Sequence, residues 1–424
     1  GLFGISFAGG HFNSDVIGIG RGPNKNRKSA AWPWLGFRVV RCDAGAHSDK
    51  PFTPKVVIDI DPKDFDPLQG RTFRGDTRRT GFLGAQGLPS LTGERWKFKT
   101  GGEVSASPVV VDSRVFIGGE DGIFYALDAK TGAPVWTFKT EGKITGSATV
   151  DRNNVVYFGS EDGFLYALKA ADGKEVWRFA ADPAKPGAKP VSTSPAVAYG
   201  VVFAGFGTWG GNYLGIDATT GKKVWKLRRF VPNGGPLGPT INGGLFHAPV
   251  NDNVLLHVDL RTEIPLRQTP GHHCRACVVA ADGLILYSRG PSFAIFNEET
   301  GARIFEKYTR GSALSFFPES APAWHDGVAW CAKEDKNVYA FEVKDGAARE
   351  LWAVPTPAIV RSSITVAGGE IFFGCDDGNL YALDAKTGAE KWKYKTGAPV
   401  CSTPWLADGV LYVGSEDGHV YALR

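Results

Sequence analysis

The chain has 424 residues, of which 43% are hydrophobic and 22% are charged, a composition typical of a folded domain rather than a disordered chain. Lys and Arg total 48 against 44 for Asp and Glu, and a net charge of +4 is too small to favour nucleic acid or an anionic membrane as the main partner. No apolar run approaches the roughly 18 residues of a transmembrane helix. The 55 glycines, 26 prolines and 12% aromatic residues indicate many short strands joined by tight turns.

The first 42 residues contain two short motifs, Gly9-Gly10-His11-Phe12-Asn13 and Gly36-Phe37-Arg38. They resemble the end of a formylglycine-generating-enzyme (sulfatase-modifying factor) domain, whose tail reads Gly-Gly-Ser-Trp-Asn and then Gly-Phe-Arg. The resemblance implies that residues 1–42 are a remnant of the C-terminal part of such a domain. Enzymes of that family carry a copper-binding cysteine pair shortly after the Gly-Gly, and residues 14–20 contain no cysteine. We therefore expect a cut remnant or an inactive relative, with a strand-rich extension packed on the next domain as the alternative.

Residues 43–72, with several prolines and aspartates, are predicted to be a linker. The chain begins at Gly1 and contains no methionine, so we interpret it as a processed or truncated product from which any signal peptide is already gone.

The remainder of the chain is built from a repeat. Four segments share one pattern: residues 115–136, 156–177, 371–392 and 410–423. Each copy predicts a strand, an Asp-Gly turn, a Tyr-Ala-Leu strand, a Thr-Gly or Asp-Gly turn and, in the first three, a strand that contains Trp. A sheet of about four such strands cannot bury both faces alone and must stack on the next copy.

The period of the repeat predicts the number of sheets. The aromatic residue of the last strand recurs at Trp96, Trp136, Trp177, Trp225, Phe305, Trp352 and Trp392. The step from Trp225 to Phe305 is twice the usual one of 40 to 48 residues, which indicates a degenerate copy between them. We therefore predict an all-β, eight-bladed β-propeller of four-stranded antiparallel blades over residues 73–424, with seven blades plus an insertion as the alternative.

Closure of the ring can also be predicted. The last copy stops after its third strand, at Arg424, whereas residues 94–100 match the missing fourth strand. Pairing of these two ends removes the exposed strand edges that promote aggregation.

These motifs resemble the PQQ-like repeat family of eight-bladed propellers, which includes quinoprotein dehydrogenases and bacterial outer-membrane assembly lipoproteins. Residues 73–76 and 79–81 look like the lead-in that precedes the first blade in many members. The resemblance implies that one tryptophan of each outer strand docks between adjacent blades, at Trp96, Trp136, Trp177, Trp225, Trp352 and Trp392. Quinoprotein enzymes usually hold the quinone with a tryptophan platform, Ca²⁺-binding carboxylates and an adjacent cysteine pair, and no such pair occurs here. We expect no cofactor, with Zn or PQQ with Ca as the alternative.

Function is expected where the repeat is broken, at residues 181–190, 228–275 and 310–325, because propeller loops carry specificity and strands are scaffold. His272, His273, Cys274 and Cys277 are ligands suited to Zn²⁺, and we regard them as a candidate metal site. A Cys274–Cys277 disulfide and free structural thiols remain open alternatives.

A second group of candidates in this sector would bind a ligand or partner. Arginine suits an anionic peptide terminus, glycan or phosphate, and an exposed tryptophan adds an aromatic surface. The candidates are Trp209, Arg228, Arg229, His247, Arg261, Arg267 and Arg275. Scattered solvated arginines and a packing role for Trp209 are the alternatives.

The sequence contains no defensible catalytic triad or phosphate loop. We therefore expect a non-catalytic scaffold that binds a protein partner or extended ligand in the bacterial cell envelope, in a periplasmic or other extracytoplasmic compartment. The alternative is a quinone- or metal-dependent oxidoreductase or electron-transfer module with its site in the central funnel.

Overall fold

The structure is a computed structural model that describes residues 29–31, 38–40, 65–66, 71–185, 187, 189–207, 212–227, 238–250, 254–270, 278–289, 292–309 and 320–424. The chain divides into two compact units, Gly1–Lys55 and Val56–Arg424. In the first unit, β1 (Ser29–Ala31) pairs with β2 (Arg38–Val40) in antiparallel register. No helix among the described residues is long and apolar enough to cross a bilayer.

The described strands of the second unit form eight four-stranded antiparallel sheets, the blades, and in all but the last of them strand order follows chain order. From inner to outer strand, blade 1 contains β4 (Val109–Val111), β5 (Arg114–Gly118), β6 (Ile123–Asp128) and β7 (Pro134–Lys139); blade 2 contains β8 (Thr149–Val150), β9 (Val155–Gly159), β10 (Phe164–Lys169) and β11 (Glu175–Ala180). Blade 3 contains β12 (Ala196–Ala198), β13 (Val201–Phe206), β14 (Asn212–Asp217) and β15 (Lys223–Leu227); blade 4 contains β16 (Thr240–Asn242), β17 (Leu245–Val250), β18 (Val254–Asp259) and β19 (Pro265–Pro270).

The second half of the ring follows the same plan. Blade 5 contains β20 (Val279–Ala281), β21 (Leu284–Arg289), β22 (Ser292–Asn297) and β23 (Arg303–Tyr308); blade 6 contains β24 (Ala323–His325), β25 (Val328–Ala332), β26 (Asn337–Lys344) and β27 (Ala347–Pro355). Blade 7 contains β28 (Thr365–Ala367), β29 (Glu370–Gly374), β30 (Asn379–Asp384) and β31 (Glu390–Lys395); blade 8 contains β32 (Trp405–Ala407), β33 (Val410–Gly414), β34 (His419–Leu423) and, as its outer strand, β3 (Glu94–Lys99).

Ring closure is confirmed at blade 8. β3 pairs with β34 so that Trp96 lies opposite Ala422 and Lys97 opposite Tyr421. Inner strand β32 of blade 8 contacts β4 of blade 1, which completes the circle. The prediction of eight blades is correct, and the degenerate copy between Trp225 and Phe305 is blade 4.

The hydrophobic core lies between the blades. Each blade presents a buried face to the next, as where the rings of Phe124 in blade 1 and Phe158 in blade 2 stack with centroids 4.0 Å apart. The row Val109, Phe116, Ala126 and Trp136, which crosses blade 1 from inner to outer strand, is typical of the regular blades. Period-two alternation places such a row on one face of the sheet, where it packs against the neighbouring blade.

The two faces of the ring differ. We call the side where each inner strand begins the connection face, because the chain passes from blade to blade there, and the opposite side the turn face. The regular connection between blades is nine residues long, at 100–108, 140–148, 356–364 and 396–404. The connections 181–195, 228–239 and 309–322 have 15, 12 and 14 residues. The extra length therefore belongs to the connection face, where the chain enters blades 3, 4 and 6.

Candidate functional site

Many of the residues that the sequence singled out lie outside the described residues. They are Trp209, Arg228, Arg229, His272, His273, Cys274, Arg275 and Cys277. The metal site proposed for the His-Cys cluster therefore stays a prediction. Of the broken stretches, residues 181–185, 187 and 189–190 are described, as are large parts of 228–275 and residues 320–325.

Three candidate binding residues are described, and the structure separates them. Arg261 lies in the turn between β18 and β19, on the turn face, and pairs with Asp259 at 3.2 Å. His247 is fully buried inside blade 4. Arg267 lies in outer strand β19, opposite His257. These side chains do not converge on the connection face, because the register of blade 4 directs His247 and Arg267 into the sheet stack.

Blade 4 carries a polar row in which three positions depart from the other blades. Threonine also occupies the first position in blades 2 and 7, as Thr149 and Thr365, but the next three positions are aromatic or alanine there. Thr240, His247, His257 and Arg267 lie opposite one another across its four strands, in the places of Val109, Phe116, Ala126 and Trp136 in blade 1. This row explains why the sequence repeat is hardest to recognise there. His247 and His257, ten residues apart in one predicted hairpin, could have indicated that the two side chains lie opposite each other.

The two histidines form a buried chain of polar contacts. His247 Nδ1 and His257 Nδ1 are 2.8 Å apart, and His257 Nε2 is 3.1 Å from Thr269 Oγ1. His247 Nε2 lies 3.0 Å from Glu298 Oε1 of the blade 5 turn, at an ion-pair distance without the alignment of a hydrogen bond. One arrangement satisfies the histidine–histidine and threonine contacts. Thr269 donates to His257, His257 donates from Nδ1 to His247, and His247 turns its Nε2 proton toward the carboxylate.

The electrostatics of this chain favour neutral His257. Burial, with the neighbouring His247 and Arg267, lowers the pKa of His257 from its usual 6.5 to about 2. Burial alone would raise the pKa of Glu298, but His247, two hydrogen bonds from Asn242 and the charge of Arg267 together lower it. Burial lowers the pKa of Arg267, against the attraction of Glu298 and Glu299.

This cluster does not have metal-site geometry. Two nitrogens bound to one tetrahedral zinc ion at about 2.0 Å would be about 3.3 Å apart, whereas these two are 2.8 Å apart and form a hydrogen bond. Among the residues that the structure describes, no group of three or more His, Cys, Asp or Glu side chains is arranged to hold a metal ion.

The axis of the ring holds the chain itself. Backbone hydrogen bonds connect residues 71–83 to the middle of successive inner strands: Val150 to Arg71, Ile241 to Thr77, Ala280 to Arg78, Trp324 to Thr80, and Val366 to both Gly81 and Leu83. These contacts involve blades 2, 4, 5, 6 and 7 in order, so the segment winds around the axis. We call residues 71–83 the axial segment.

Two buried arginines fix the axial segment. Arg79, fully buried, donates to the backbone oxygens of Ser194, Pro195 and Pro239 at 3.0 to 3.3 Å, and to Phe73 O at 2.8 Å. Arg74 donates to Ala321 O at 3.1 Å and to Pro322 O. Burying a cation is tolerated only when its donors find such acceptors. The distant carbonyls lie at the ends of the connections that enter blades 3, 4 and 6, so the two side chains connect distant parts of the ring.

A buried carboxylate completes this segment. Asp76 accepts hydrogen bonds from the Arg78 guanidinium at 2.9 Å and from Thr80 N at 3.1 Å. Burial raises the pKa of Asp76, against the lowering effect of Arg78. Sequence reasoning gave no role to Arg74, Asp76 or Arg79, because charged residues in a glycine-containing lead-in normally face solvent.

A quinone with Ca²⁺ does not fit the described axis. The space beside Phe73, Arg74 and Leu83 is too narrow for a water molecule, whereas ligand pockets usually offer about 300 Å³ or more. The arginine donors there already bind backbone carbonyls, and the Asp76 carboxylate binds Arg78 and Thr80. We therefore derive no chemistry through a cofactor at this position.

Comparison with known families relates these features to a group of proteins. A family model described as "Outer membrane protein assembly factor BamB" matches residues 90–236 and 347–424, just over half of the chain. The chain belongs to this PQQ-like repeat family. The BamB family match omits residues 237–346, the sector that contains blades 4 and 5 with the polar row. The unmatched stretch 237–346 thus includes blade 4, whose row contains His247, His257 and Arg267, together with blade 5 and three strands of blade 6.

Solved structures similar to this member of the BamB family share its fold at low sequence identity. Quinohemoprotein alcohol dehydrogenase from Comamonas testosteroni is 18% identical, with 87% of this chain and 82% of that chain covered and a TM-score of 0.69. A europium-containing methanol dehydrogenase is 16% identical, covering 85% and 98%, with a TM-score of 0.64. BamB from Moraxella catarrhalis is 18% identical, covering 79% and 98%, with a TM-score of 0.61. A search of curated protein sequences gives no significant match.

Proposed function

We propose that this protein is a non-catalytic propeller that binds a protein partner through the connection face, in an extracytoplasmic compartment of a bacterium. The observation that carries this proposal is the filled axis: residues 71–83 lie along the inner strands and form backbone hydrogen bonds to five blades. The alternative of a quinone- or metal-dependent site in the funnel is disfavoured for that reason. The family description, an outer-membrane protein assembly factor, supports the compartment and the partner class.

The binding surface follows from the lengths of the connections. The three long connections, 181–195, 228–239 and 309–322, leave and enter blades on one face, whereas the described turns of the opposite face stay short. Loops on a rigid scaffold are where propellers place recognition. The connection face beside blades 3, 4 and 6 is therefore the surface that we assign to the partner.

Site-specific photo-crosslinking in cells of the source organism tests this assignment. A photoreactive residue replaces exposed Ala184 or Tyr308 beside the long connections, and matched controls carry it at Lys130 and Lys386 on the turn face. We expect one discrete crosslinked protein from the first pair and none from the second. Crosslinks from the turn face alone, or a stoichiometric quinone or metal in the purified protein, would refute the proposal.

For residues 1–42 we propose the remnant of a sulfatase-modifying-factor domain that their motifs suggest. Antiparallel pairing of Ser29–Ala31 with Arg38–Val40, which begins within the Gly-Phe-Arg motif, supports it. An experimental structure of the intact chain tests it. Those strands should superpose on the last strands of such a domain, and a different strand arrangement would rule the remnant out.

A further inference from the structure

Several blades are joined to the next blade by a repeated contact at the outer strand. Trp96, Trp136 and Trp177 each donate from Nε1 to a backbone oxygen of the next blade, at Ala129, Ala170 and Ala218, over 2.9 to 3.0 Å. Each ring also lies on a glycine of the same turn: Gly132, Gly173 and Gly221. The indole thus buries apolar area and satisfies its only polar atom at once.

At three seams of the described blades, the outer strand makes no indole hydrogen bond. Between blades 3 and 4, and between blades 5 and 6, an aromatic contact remains: Trp225 packs on Phe246 with ring centroids 4.9 Å apart, and Phe305 packs on Phe341 at 5.1 Å.

The seam between blades 4 and 5 differs from both, because a charged side chain stands in place of the aromatic ring. Arg267 takes the tryptophan position of blade 4, and its Cδ lies against Gly301 of the blade 5 turn. Glu298 takes the place of the alanine whose carbonyl accepts the indole proton elsewhere. Arg267 Nη1 is buried without a hydrogen-bond partner. An apolar contact is replaced here by buried charges and the histidine chain, which depend on protonation for their stability.

The axial end of the same seam is held firmly. Thr240 Oγ1 donates to Val278 O at 2.6 Å, and consecutive axial residues Thr77 and Arg78 accept from Ile241 N and Ala280 N. Blades 4 and 5 are therefore fixed at the axis and joined by polar groups at the periphery. With this geometry, blades 4 and 5 can separate at their outer strands while their inner strands stay attached at the axis.

We infer that the seam between blades 4 and 5 opens at its outer end in acid, while the seams held by a docked tryptophan stay closed. The inference is independent of the proposed partner.

The groups around His257 give the direction of the effect. β17 contributes His247, β19 contributes Arg267, and the blade 5 turn contributes Glu298 and Glu299. β16 contributes only uncharged side chains to this row, Thr240 and Asn242. In the closed seam the pKa of His257 is far below 6.5, so the open seam binds a proton that the closed seam rejects. Closure is therefore fully favoured above about pH 6.5 and is progressively lost as the pH falls.

Hydrogen–deuterium exchange followed by mass spectrometry on the full chain tests the inference. Opening constants, corrected for the intrinsic pH dependence of exchange, are compared at pH 7.5 and 5.0 for peptides covering 254–270 and 292–303. With one proton taken up at a pKa near 6.5, the opening constant should rise about 30-fold. Peptides covering 349–355 and 379–390 span the seam between blades 6 and 7, where Trp352 docks on Gly388, and should change less than about threefold.

Two variants distinguish protonation of His257 from other effects of low pH on the ring. His257→Gln removes the titrating group and should reduce the 30-fold rise to the level of the control seam. A variant that restores the repeat, with His247→Phe, His257→Ala, Arg267→Trp and Glu298→Ala, should give the same result with higher protection. An equal pH dependence of the opening constants at the two seams of the unmodified protein would overturn the inference, and this comparison needs neither variant. An undiminished rise of the opening constant in His257→Gln would overturn it as well.

Discussion

Replacement of Arg79 by alanine should be among the most destabilising single changes in this protein. The side chain is fully buried and makes five hydrogen bonds, to four backbone oxygens and to Thr72 Oγ1. Hydrogen bonds from a charged group contribute about 1.5–3 kcal/mol each but are not additive. Truncation leaves buried carbonyls without a donor and a cavity at the axis, so we expect a loss of about 3–5 kcal/mol in the free energy of unfolding.

Equilibrium unfolding in urea, followed by tryptophan fluorescence, measures this loss. Arg349→Ala is the matched control, because Arg349 is 71% exposed and pairs with Glu342 on the surface. Exposed pairs contribute about 0–1 kcal/mol, so the control should barely move the midpoint. Arg79→Lys keeps the charge but cannot reach carbonyls from two blades, and should recover less than half of the loss. Equal midpoints for Arg79→Ala and Arg349→Ala would show that the axial segment does not hold the ring together.

Three further predictions address other parts of the ring. Gly221→Ala should lower the free energy of unfolding in urea by about 2–4 kcal/mol, because φ is +69° and the new Cβ would lie 2.8 Å from Trp177 Cγ. Gly200→Ala has the same φ but open space around it, and should lose only the ~1 kcal/mol of backbone strain. Equal losses in the two variants would contradict the docking role of Trp177. The free energy of unfolding should fall by about 2 kcal/mol between pH 7.5 and 5.0, since the low pKa of His257 makes protonation favour the unfolded chain, and a flat urea midpoint over that range would contradict it. Glu370→Gln should lower the free energy of unfolding by about 1–3 kcal/mol, because the buried Glu370 carboxylate accepts hydrogen bonds from Leu88 N at 2.5 Å and Lys391 Nζ at 2.9 Å. Glu390→Gln, on the surface, is the control, and identical urea midpoints for the two variants would refute this role.

The architecture could be predicted because its signals are local. Asp-Gly turns, the Tyr-Ala-Leu strands and the spacing of the outer-strand aromatics specify each blade within about 40 residues. Closure of the ring could be predicted because β3 has the sequence of the tryptophan-containing outer strand that the last copy lacks. Blade 4 was predicted mainly from the doubled step from Trp225 to Phe305, since its own tryptophan position is Arg267.

The site could not be predicted from the same signals, because its contacts join residues far apart in sequence. Arg79 binds carbonyls 115 to 160 residues away, and no local pattern in the lead-in distinguishes it from a solvated arginine. Of the two histidines, His247 was predicted to bind a ligand or partner and His257 was given no role. Their burial follows from strand register, which sets which face each side chain occupies.

A titration of the purified protein with pyrroloquinoline quinone and Ca²⁺ tests the central claim most directly, because the axial segment and a funnel cofactor cannot share one space. With the axis filled by residues 71–83, added quinone should remain free in equilibrium dialysis, and its absorption spectrum should be unchanged by the protein. Saturable binding of one quinone per chain, accompanied by a shifted spectrum, would contradict the account.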